Sequence, residues 1–124
     1  MSHARHPALP AICVWAALSA ASAALAQAPD IDTAIAAAVA EVNEKYSEYN
    51  LDIKKLFAQK CSWCHQGYGM RQADGPKLAG SEKTREQLMK QIANGKSPMP
   101  GFKKQLKEHE IEALADYIKA LPKN

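Results

Sequence analysis

The chain has 124 residues, of which 47% are hydrophobic and 23% are charged, and its formal net charge is +3. This length supports one small domain, which buries only about two-thirds of the surface of its unfolded chain. No basic run is interleaved with aromatic residues, which argues against a nucleic-acid-binding protein. No alternating strand pattern and no internal repeat stand out, so the sequence favours helices joined by Gly/Pro loops.

The first 26 residues have the pattern of a cleaved secretory signal peptide. Arg5 gives a weakly positive start, residues 11–24 are apolar and rich in alanine, and Ala24-Leu25-Ala26 fits the cleavage pattern. Ala26-Gln27-Ala28 offers a second register, so cleavage is expected after Ala26 or Ala28. An uncleaved membrane anchor would need about 20 strongly apolar residues, and serines interrupt this shorter segment. We therefore expect export of a mature chain that has lost Cys13.

The remaining sequence predicts four helices, over about residues 31–47, 51–59, 84–93 and 108–120. Asp30 is placed to cap the first helix and Asn50 the second. Thr84-Arg85-Glu86-Gln87 has the capping-box pattern before the third, and Pro122 ends the fourth. The first helix carries one apolar stripe, which predicts packing across the rest of the domain or, alternatively, docking or dimerisation.

The most specific motif is Cys61-Ser62-Trp63-Cys64-His65, which has the Cys-x-x-Cys-His spacing of c-type haem attachment. Each thiol can form a thioether to one vinyl group of the same haem, and His65 follows directly as an iron ligand. A thioredoxin-like redox pair would need a βαβ surround, and a zinc site would need two further Cys or His ligands. No alternating β-run precedes Cys61, the only other cysteine is Cys13, and the only later histidine is His109. The motif therefore predicts one covalently bound haem c.

A second protein ligand to the iron decides between electron transfer and the binding of small molecules. Met99 lies between two prolines that restrict its backbone, 34 residues after His65, which is enough chain to reach the opposite face of a haem. Met70 is only five residues beyond His65, Met89 lies mid-helix among core residues, and His109 is expected to be exposed. We predict His65 and Met99 as the two axial ligands, a pair that favours reduced iron and closes it to oxygen.

Over about residues 51–122 the chain resembles a small class I c-type cytochrome. The resemblance rests on three motifs in the family's order and spacing, namely the haem motif, Gly75-Pro76-Lys77-Leu78-Ala79-Gly80 and Met99-Pro100-Gly101-Phe102. It implies an all-α cytochrome c fold, with three core helices around the covalently bound haem and here an extra N-terminal helix. It also implies that the Pro76 carbonyl accepts a hydrogen bond from His65. Leu114-Ala115-Asp116-Tyr117-Ile118 resembles the family's terminal helix, whose aromatic residue would pack on Phe57.

The predicted organisation is a signal peptide over residues 1–26, a helical extension over 27–50 and a haem domain over 51–124. Three departures from the family pattern modify this expectation. Ile53 stands where some members have a small residue, so the helix crossing is expected to be wider, and Lys107 replaces the usual cap of the last helix. Trp63 is bulky within the haem motif and is expected to shield a haem edge or to lie on the surface.

These features predict a periplasmic one-electron carrier rather than an enzyme. It would pass electrons from a dehydrogenase or membrane complex to an oxidase or another cytochrome, with no nucleic acid and no stable membrane insertion. The 66–70 insert resembles those of cytochromes that serve quinoprotein alcohol dehydrogenases. Lys96, Lys103 and Lys104 flank the ligand loop and are expected either to steer an acidic partner or to form a solvated face. The alternatives are a haem enzyme or gas-binding sensor with an open sixth position, and a structural subunit attached through residues 31–47.

Overall fold

The computed structural model describes Met1 and residues 30–123, and this part of the chain is helical. Its α-helices are α1 (Ile31–Lys45), α2 (Ile53–Lys60), α3 (Arg85–Asn94) and α4 (Glu108–Ala120), with 3₁₀ turns at Ser47–Tyr49 and Gly67–Gly69. Within the described residues the only β feature is an isolated bridge between Lys96 and Met99. The predicted all-α fold is thus confirmed.

Residues 2–29 are not described, so the predicted signal peptide, its cleavage sites and Cys13 lie outside the described residues. Among the helices that are described, none combines the length and the apolar character needed to cross a membrane. The division into an extension over 27–50 and a haem domain over 51–124 stays a prediction.

The capping signals at α1 and α3 form as predicted. Asp30 accepts a hydrogen bond from the Thr33 N–H at 3.0 Å. At α3 the Thr84 hydroxyl accepts from the Gln87 N–H at 3.2 Å, and the Gln87 amide oxygen accepts from the Thr84 N–H at 2.9 Å. These bonds satisfy N–H groups that have no partner within a helix, and they fix where α1 and α3 begin.

The start of α2 differs from the prediction. Asp52, not Asn50, caps the helix, because its carboxylate accepts from the Lys55 N–H at 3.0 Å. Asn50 instead takes the left-handed conformation, with φ at 51°, at the end of the Ser47–Tyr49 turn. Asparagine tolerates this conformation better than most residues. Consequently Leu51 lies in the connection before α2 and is half-buried there.

The start of α4 lacks a side-chain cap from Lys107, in line with the departure noted in the sequence. Glu110 compensates by accepting a hydrogen bond from the Lys107 backbone N–H at 2.7 Å. The helix still spans Glu108–Ala120, the range that its apolar spacing predicts.

Helix α4 is the centre of the core and contacts each of the other three helices. Its inner residues Ala113, Leu114, Ala115 and Tyr117 are at most 1% exposed. The apolar stripe of α1 is buried in the same core cluster, through Ile35, Ala38 and Val42. The extra N-terminal helix is therefore a packing helix, and its apolar stripe is already used within the chain.

The crossing of α2 and α4 is aromatic, as the resemblance implied. The rings of Phe57 and Tyr117 lie 5.2 Å apart at an interplanar angle of 59°, and both side chains are fully buried. The Tyr117 hydroxyl donates to the Tyr68 carbonyl oxygen at 3.0 Å. This bond ties the loop after the haem motif to α4.

A polar cluster around Asp116 joins α1, α3 and α4. Asp116 accepts hydrogen bonds from Lys45 at 2.7 Å, from the Tyr46 hydroxyl at 2.6 Å and from Arg85 Nε at 2.7 Å. Burial acts to raise the pKa of Asp116, but the hydrogen bonds from Arg85, Lys45 and Tyr46 outweigh it, so the pKa is lowered. Burial and the bond to Asp116 raise the pKa of Tyr46 to about 12, so its hydroxyl remains a donor.

Replacing Phe57 with alanine should lower the free energy of unfolding by on the order of 3–5 kcal/mol, because the cavity would lie at a fully buried crossing. Urea unfolding followed by haem absorbance and far-UV circular dichroism measures this loss. Ile31→Ala is the control, because Ile31 is 43% exposed and its loss should cost about 0.5 kcal/mol or less. Similar losses in the two variants would contradict the crossing.

Asp116→Asn should lower the free energy of unfolding by about 2 kcal/mol at pH 7, because its charge-assisted hydrogen bonds with Lys45, Tyr46 and Arg85 are weakened. The lowered pKa means that the carboxylate stabilises the fold above about pH 4, the range of an unfolded aspartate. That contribution is lost as the pH falls through the folded pKa. Unfolding curves of wild type and variant from pH 7 to pH 2 should therefore converge at low pH. The control is Asp32→Asn, at an exposed position, whose free energy of unfolding should follow that of the wild type across this pH range. If the difference between Asp116→Asn and the wild type stays constant with pH, the Asp116 carboxylate is not the source of the stabilisation.

Candidate functional site

The haem motif forms one tight turn at the end of α2. The Cys61 N–H donates to the Phe57 carbonyl at 2.9 Å, and the His65 N–H donates to the Cys61 carbonyl at 2.9 Å. Cys61 and Cys64 are both free thiols, the first half-buried and the second exposed. Burial, with a smaller effect from Cys64, raises the pKa of the Cys61 thiol to about 12. The turn thus holds one thiol against the apolar core and one at the surface.

The His65 imidazole is buried, and its orientation is set by Pro76. His65 Nδ1 lies 2.8 Å from the Pro76 carbonyl oxygen, and the side chain is only 7% exposed. Because a carbonyl can only accept, Nδ1 carries the proton and donates it. The neutral ring then has an unprotonated Nε2, whose lone pair can bind a metal.

Gly75 allows the loop to approach the imidazole closely. Its N–H donates to the Cys64 carbonyl at 2.8 Å. A Cβ atom at this position would lie 2.6 Å from His65 Cε1 and 2.8 Å from His65 Nδ1. Only glycine leaves the space that the ring occupies, so Gly75 and Pro76 position His65 together.

The loop that carries Met99 is held against the end of α3. Lys96 and Met99 exchange two backbone hydrogen bonds of 3.0 and 2.8 Å, and the Phe102 N–H donates to the Ile92 carbonyl at 2.9 Å. A Cβ atom on Gly95 would lie 2.6 Å from the Met99 carbonyl oxygen. Gly95 itself has φ at 74° and ψ at 174°, an extended positive-φ conformation that favours glycine and ends α3. The loop therefore has little freedom to move away from α3.

The four candidates for the second ligand lie in different settings. Met99 is half-buried, and its sulfur lies 3.9 Å from Gln91 Nε2. Met70 is 5% exposed, and the sulfur of Met89 lies 3.2 Å from a guanidinium nitrogen of Arg85. The expectation that His109 is exposed was wrong, because its ring is half-buried and stacks on Tyr49 at 4.0 Å.

The residues of the predicted site are suited to a c-type haem. Hydrogen bonds join the Cys61–His65 turn to Gly75 and Pro76, while Met99 lies on the separate loop after α3. Two free thiols, an imidazole with Nε2 available and a thioether form the donor set that covalent attachment and His/Met ligation require. Within the described residues no cluster of three or more His, Cys, Asp or Glu side chains is placed to hold a metal ion, as a zinc site would need.

Comparison with protein families identifies the class of the chain. A family model described as "Cytochrome C oxidase, cbb3-type, subunit III" matches residues 50–118, more than half of the chain. The chain belongs to this family and is a class I c-type cytochrome. The match begins after α1, so the N-terminal helix lies outside the matched region.

Several curated relatives are cytochromes c6. The protein of Nostoc sp. is 39% identical over 52% of this cytochrome and 63% of its own length, so the chain spans less than two-thirds of that relative. The protein of Euglena gracilis is 35% identical over 51% of this chain and 82% of its own length. The protein of Cladophora glomerata is 31% identical over 58% of this chain and 88% of its own length. No solved structure matches the chain.

These comparisons confirm the predicted class, its covalently bound haem c and an electron carrier rather than an enzyme.

Two residues of the site of this cytochrome were not singled out from the sequence. In the sequence Gly75 is only one position of the Gly75–Gly80 motif, although its missing Cβ makes room for the His65 ring. Gln91 touches the sulfur of Met99 from α3. Its position eight residues before Met99 gave no signal, because the contact depends on how the loop folds back.

Gly75→Ala should displace the His65 ring or the Pro76 loop and destabilise the protein by about 1–3 kcal/mol. We expect a lower yield of covalently bound haem per polypeptide and a shifted midpoint potential. Haem staining and a redox titration measure these two quantities. Gly80→Ala is the control, because Gly80 is a positive-φ glycine of the same loop and the substitution strains its backbone. The added Cβ would make only ordinary contact, since its nearest neighbour is the Lys123 Cα at 3.6 Å. Equal changes in both variants would show that loop strain, and not contact with His65, is responsible.

Proposed function

We propose that this cytochrome is a periplasmic one-electron carrier, with its haem c attached through Cys61 and Cys64 and its iron ligated by His65 and Met99. The observation that carries the proposal is the Met99 loop, which is pinned to the end of α3 because the Phe102 and Lys103 N–H groups donate to the Ile92 and Ala93 carbonyls. A thioether held in this way is suited to remain on the iron in both oxidation states. Such a closed site transfers electrons and does not bind substrates.

The haem, when bound, supplies an iron that cycles between two oxidation states. The chain supplies the surroundings. The Pro76 carbonyl accepts a hydrogen bond from His65 Nδ1–H, which fixes the ring and makes Nε2 a better donor of its lone pair to a metal. The buried side of the haem motif, at Cys61, excludes water, while exposed Cys64 marks the side that reaches the surface. Because the ligands are held rigidly and one side of the site excludes water, the protein would change its structure little when the iron gains or loses an electron.

Two other functions receive less support from the structure. A haem enzyme or gas-binding sensor needs an open sixth position, whereas Met99 lies in a loop that starts at the end of α3 and is bonded back to it through Phe102 and Lys103. A structural subunit attached through α1 needs a free apolar face, whereas Ile35, Ala38 and Val42 are buried against the core.

The sequence and the family together support the proposed location and partners. The pattern over residues 1–26 supports export, and c-type haem is joined to its protein outside the bacterial cytoplasmic membrane. The matched family is named for a subunit of a cbb3-type cytochrome c oxidase, which supports an oxidase as the electron acceptor, with another cytochrome as the alternative. The donor would be a dehydrogenase or membrane complex, and the insert at residues 66–70 supports a quinoprotein alcohol dehydrogenase. Exposed Lys96, Lys103 and Lys104 beside Met99 would attract an acidic partner.

Met99→Ala tests the ligand assignment. The variant should keep its covalent haem, bind carbon monoxide when reduced at neutral pH, and show a midpoint potential lower by on the order of 100 mV, within the range of about 0.8 V that axial ligands set. Absorption spectra with and without carbon monoxide, together with a redox titration, measure these changes.

Met70→Ala and Met89→Ala are the matched controls and should retain a closed iron. If either of these opens the iron while Met99→Ala does not, the wrong sulfur has been assigned. Binding of carbon monoxide by the wild-type protein under the same conditions would favour the open-site alternative.

A further inference from the structure

Trp63 is exposed in a way that the fold does not explain. Its side chain is 84% exposed, whereas the next large apolar side chains among residues 30–123, Tyr49 and Ile31, are 48% and 43% exposed. A tryptophan can bury about 150–250 Å² of surface, so leaving it in water forgoes a large stabilisation. Trp63 also stands between the two thiols that hold the haem, next to exposed Cys64. Its position therefore suggests a role outside the chain.

The side chains that line the surface recess at Trp63 are uncharged. Trp63, Ala58, Ser62 and Gln66 line a shallow recess of about 260 Å³ at the surface. Ala58 lies on the exposed side of α2, one helical turn from the exposed Lys54 and Lys55. The indole is thus a single apolar projection with lysines nearby, and not part of a broad apolar face such as a membrane-binding helix would present.

The charges of the chain are separated by segment. Residues 53–107, which carry the haem motif and the Met99 loop, contain twelve Lys or Arg and three Asp or Glu, a net charge of +9. Residues 30–52 and 108–123 contain ten acidic and three basic residues, a net charge of −7. The acidic segments belong together in space, because α1 packs against α4. This asymmetry would orient the cytochrome with its haem-bearing segments toward a negatively charged protein.

We propose that Trp63 anchors this cytochrome to its redox partner, by inserting into an apolar recess that is bordered by carboxylates on the partner. Tryptophan is the residue type most often found at the energetic centre of protein interfaces. A second copy of the chain does not fit this description, since its own haem-bearing segments are also basic. The inference rests on the proposed electron-carrier function, and it names the contact through which that function operates.

The test is oxidation of the reduced holoprotein by a purified cbb3-type cytochrome c oxidase, followed by oxygen uptake over a range of cytochrome concentrations. Trp63→Ala should raise KM about tenfold with kcat nearly unchanged, and Trp63→Phe should recover most of the loss. Tyr49→Ala is the matched control, because Tyr49 is an exposed aromatic residue within the acidic segment of residues 30–52, and it should leave KM unchanged. The midpoint potential and the rate of oxidation by ferricyanide, which needs no protein docking, should be the same in all variants.

Two results would overturn the anchor. One is an unchanged KM for Trp63→Ala in an assay where the wild type turns over; if the variant has also lost binding to phosphatidylglycerol vesicles, Trp63 belongs at a membrane surface instead. The other is a change in midpoint potential or ferricyanide rate that matches the change in KM, because Trp63 would then cover the haem. If this oxidase does not oxidise the wild type at all, the proposed acceptor fails and the anchor inference falls with it.

Discussion

The hydrogen bond from His65 Nδ1 to the Pro76 carbonyl, 2.8 Å long, is the interaction on which the site depends. It selects the tautomer with Nε2 available, and it fixes the plane of the ring before a metal is bound. Its formation requires that the chain approach the ring closely, which the missing Cβ of Gly75 permits. The bond is local in space but spans eleven residues of sequence, so the fold must hold the loop in place. The fold does so through Tyr117, whose hydroxyl binds the Tyr68 carbonyl within that loop.

Helix α4 links this first loop to the second. Its Tyr117 packs on Phe57 just before the haem motif, while its Asp116 binds Arg85 at the start of α3, the helix from whose far end the Met99 loop folds back. Two adjacent residues of α4 therefore hold the elements that carry the two proposed ligands. Apolar packing holds the His65 side, and a charged cluster contributes to the Met99 side. A change of pH that protonates Asp116 should consequently weaken the support of α3 before it affects the aromatic crossing.

Much of this arrangement could be predicted from the sequence, because short-range signals determine it. Capping residues and apolar spacing placed most helix ends within about two residues, and the aromatic crossing followed from the family resemblance. The prediction failed where neighbours in space decide between similar candidates. Asn50 and Asp52 can both cap a helix, but the 3₁₀ turn after α1 draws Asn50 into a left-handed conformation. His109 was expected in water, but Tyr49 from that same turn stacks on it. The contact of Gln91 with Met99 likewise depends on a loop that folds back.

The interior and the surface of this cytochrome have separate tasks. With the proposed ligands, Pro76, Gly75 and the Met99 loop would govern the properties of the iron, and none of them needs to touch a partner for that purpose. The proposed partner contact would instead depend on exposed side chains, of which Trp63 is the most distinctive. A bulky residue at position 63 is compatible with the haem motif because the motif specifies only the two cysteines and His65 of that turn. Selection for a new partner could therefore change the contact surface without altering the redox centre.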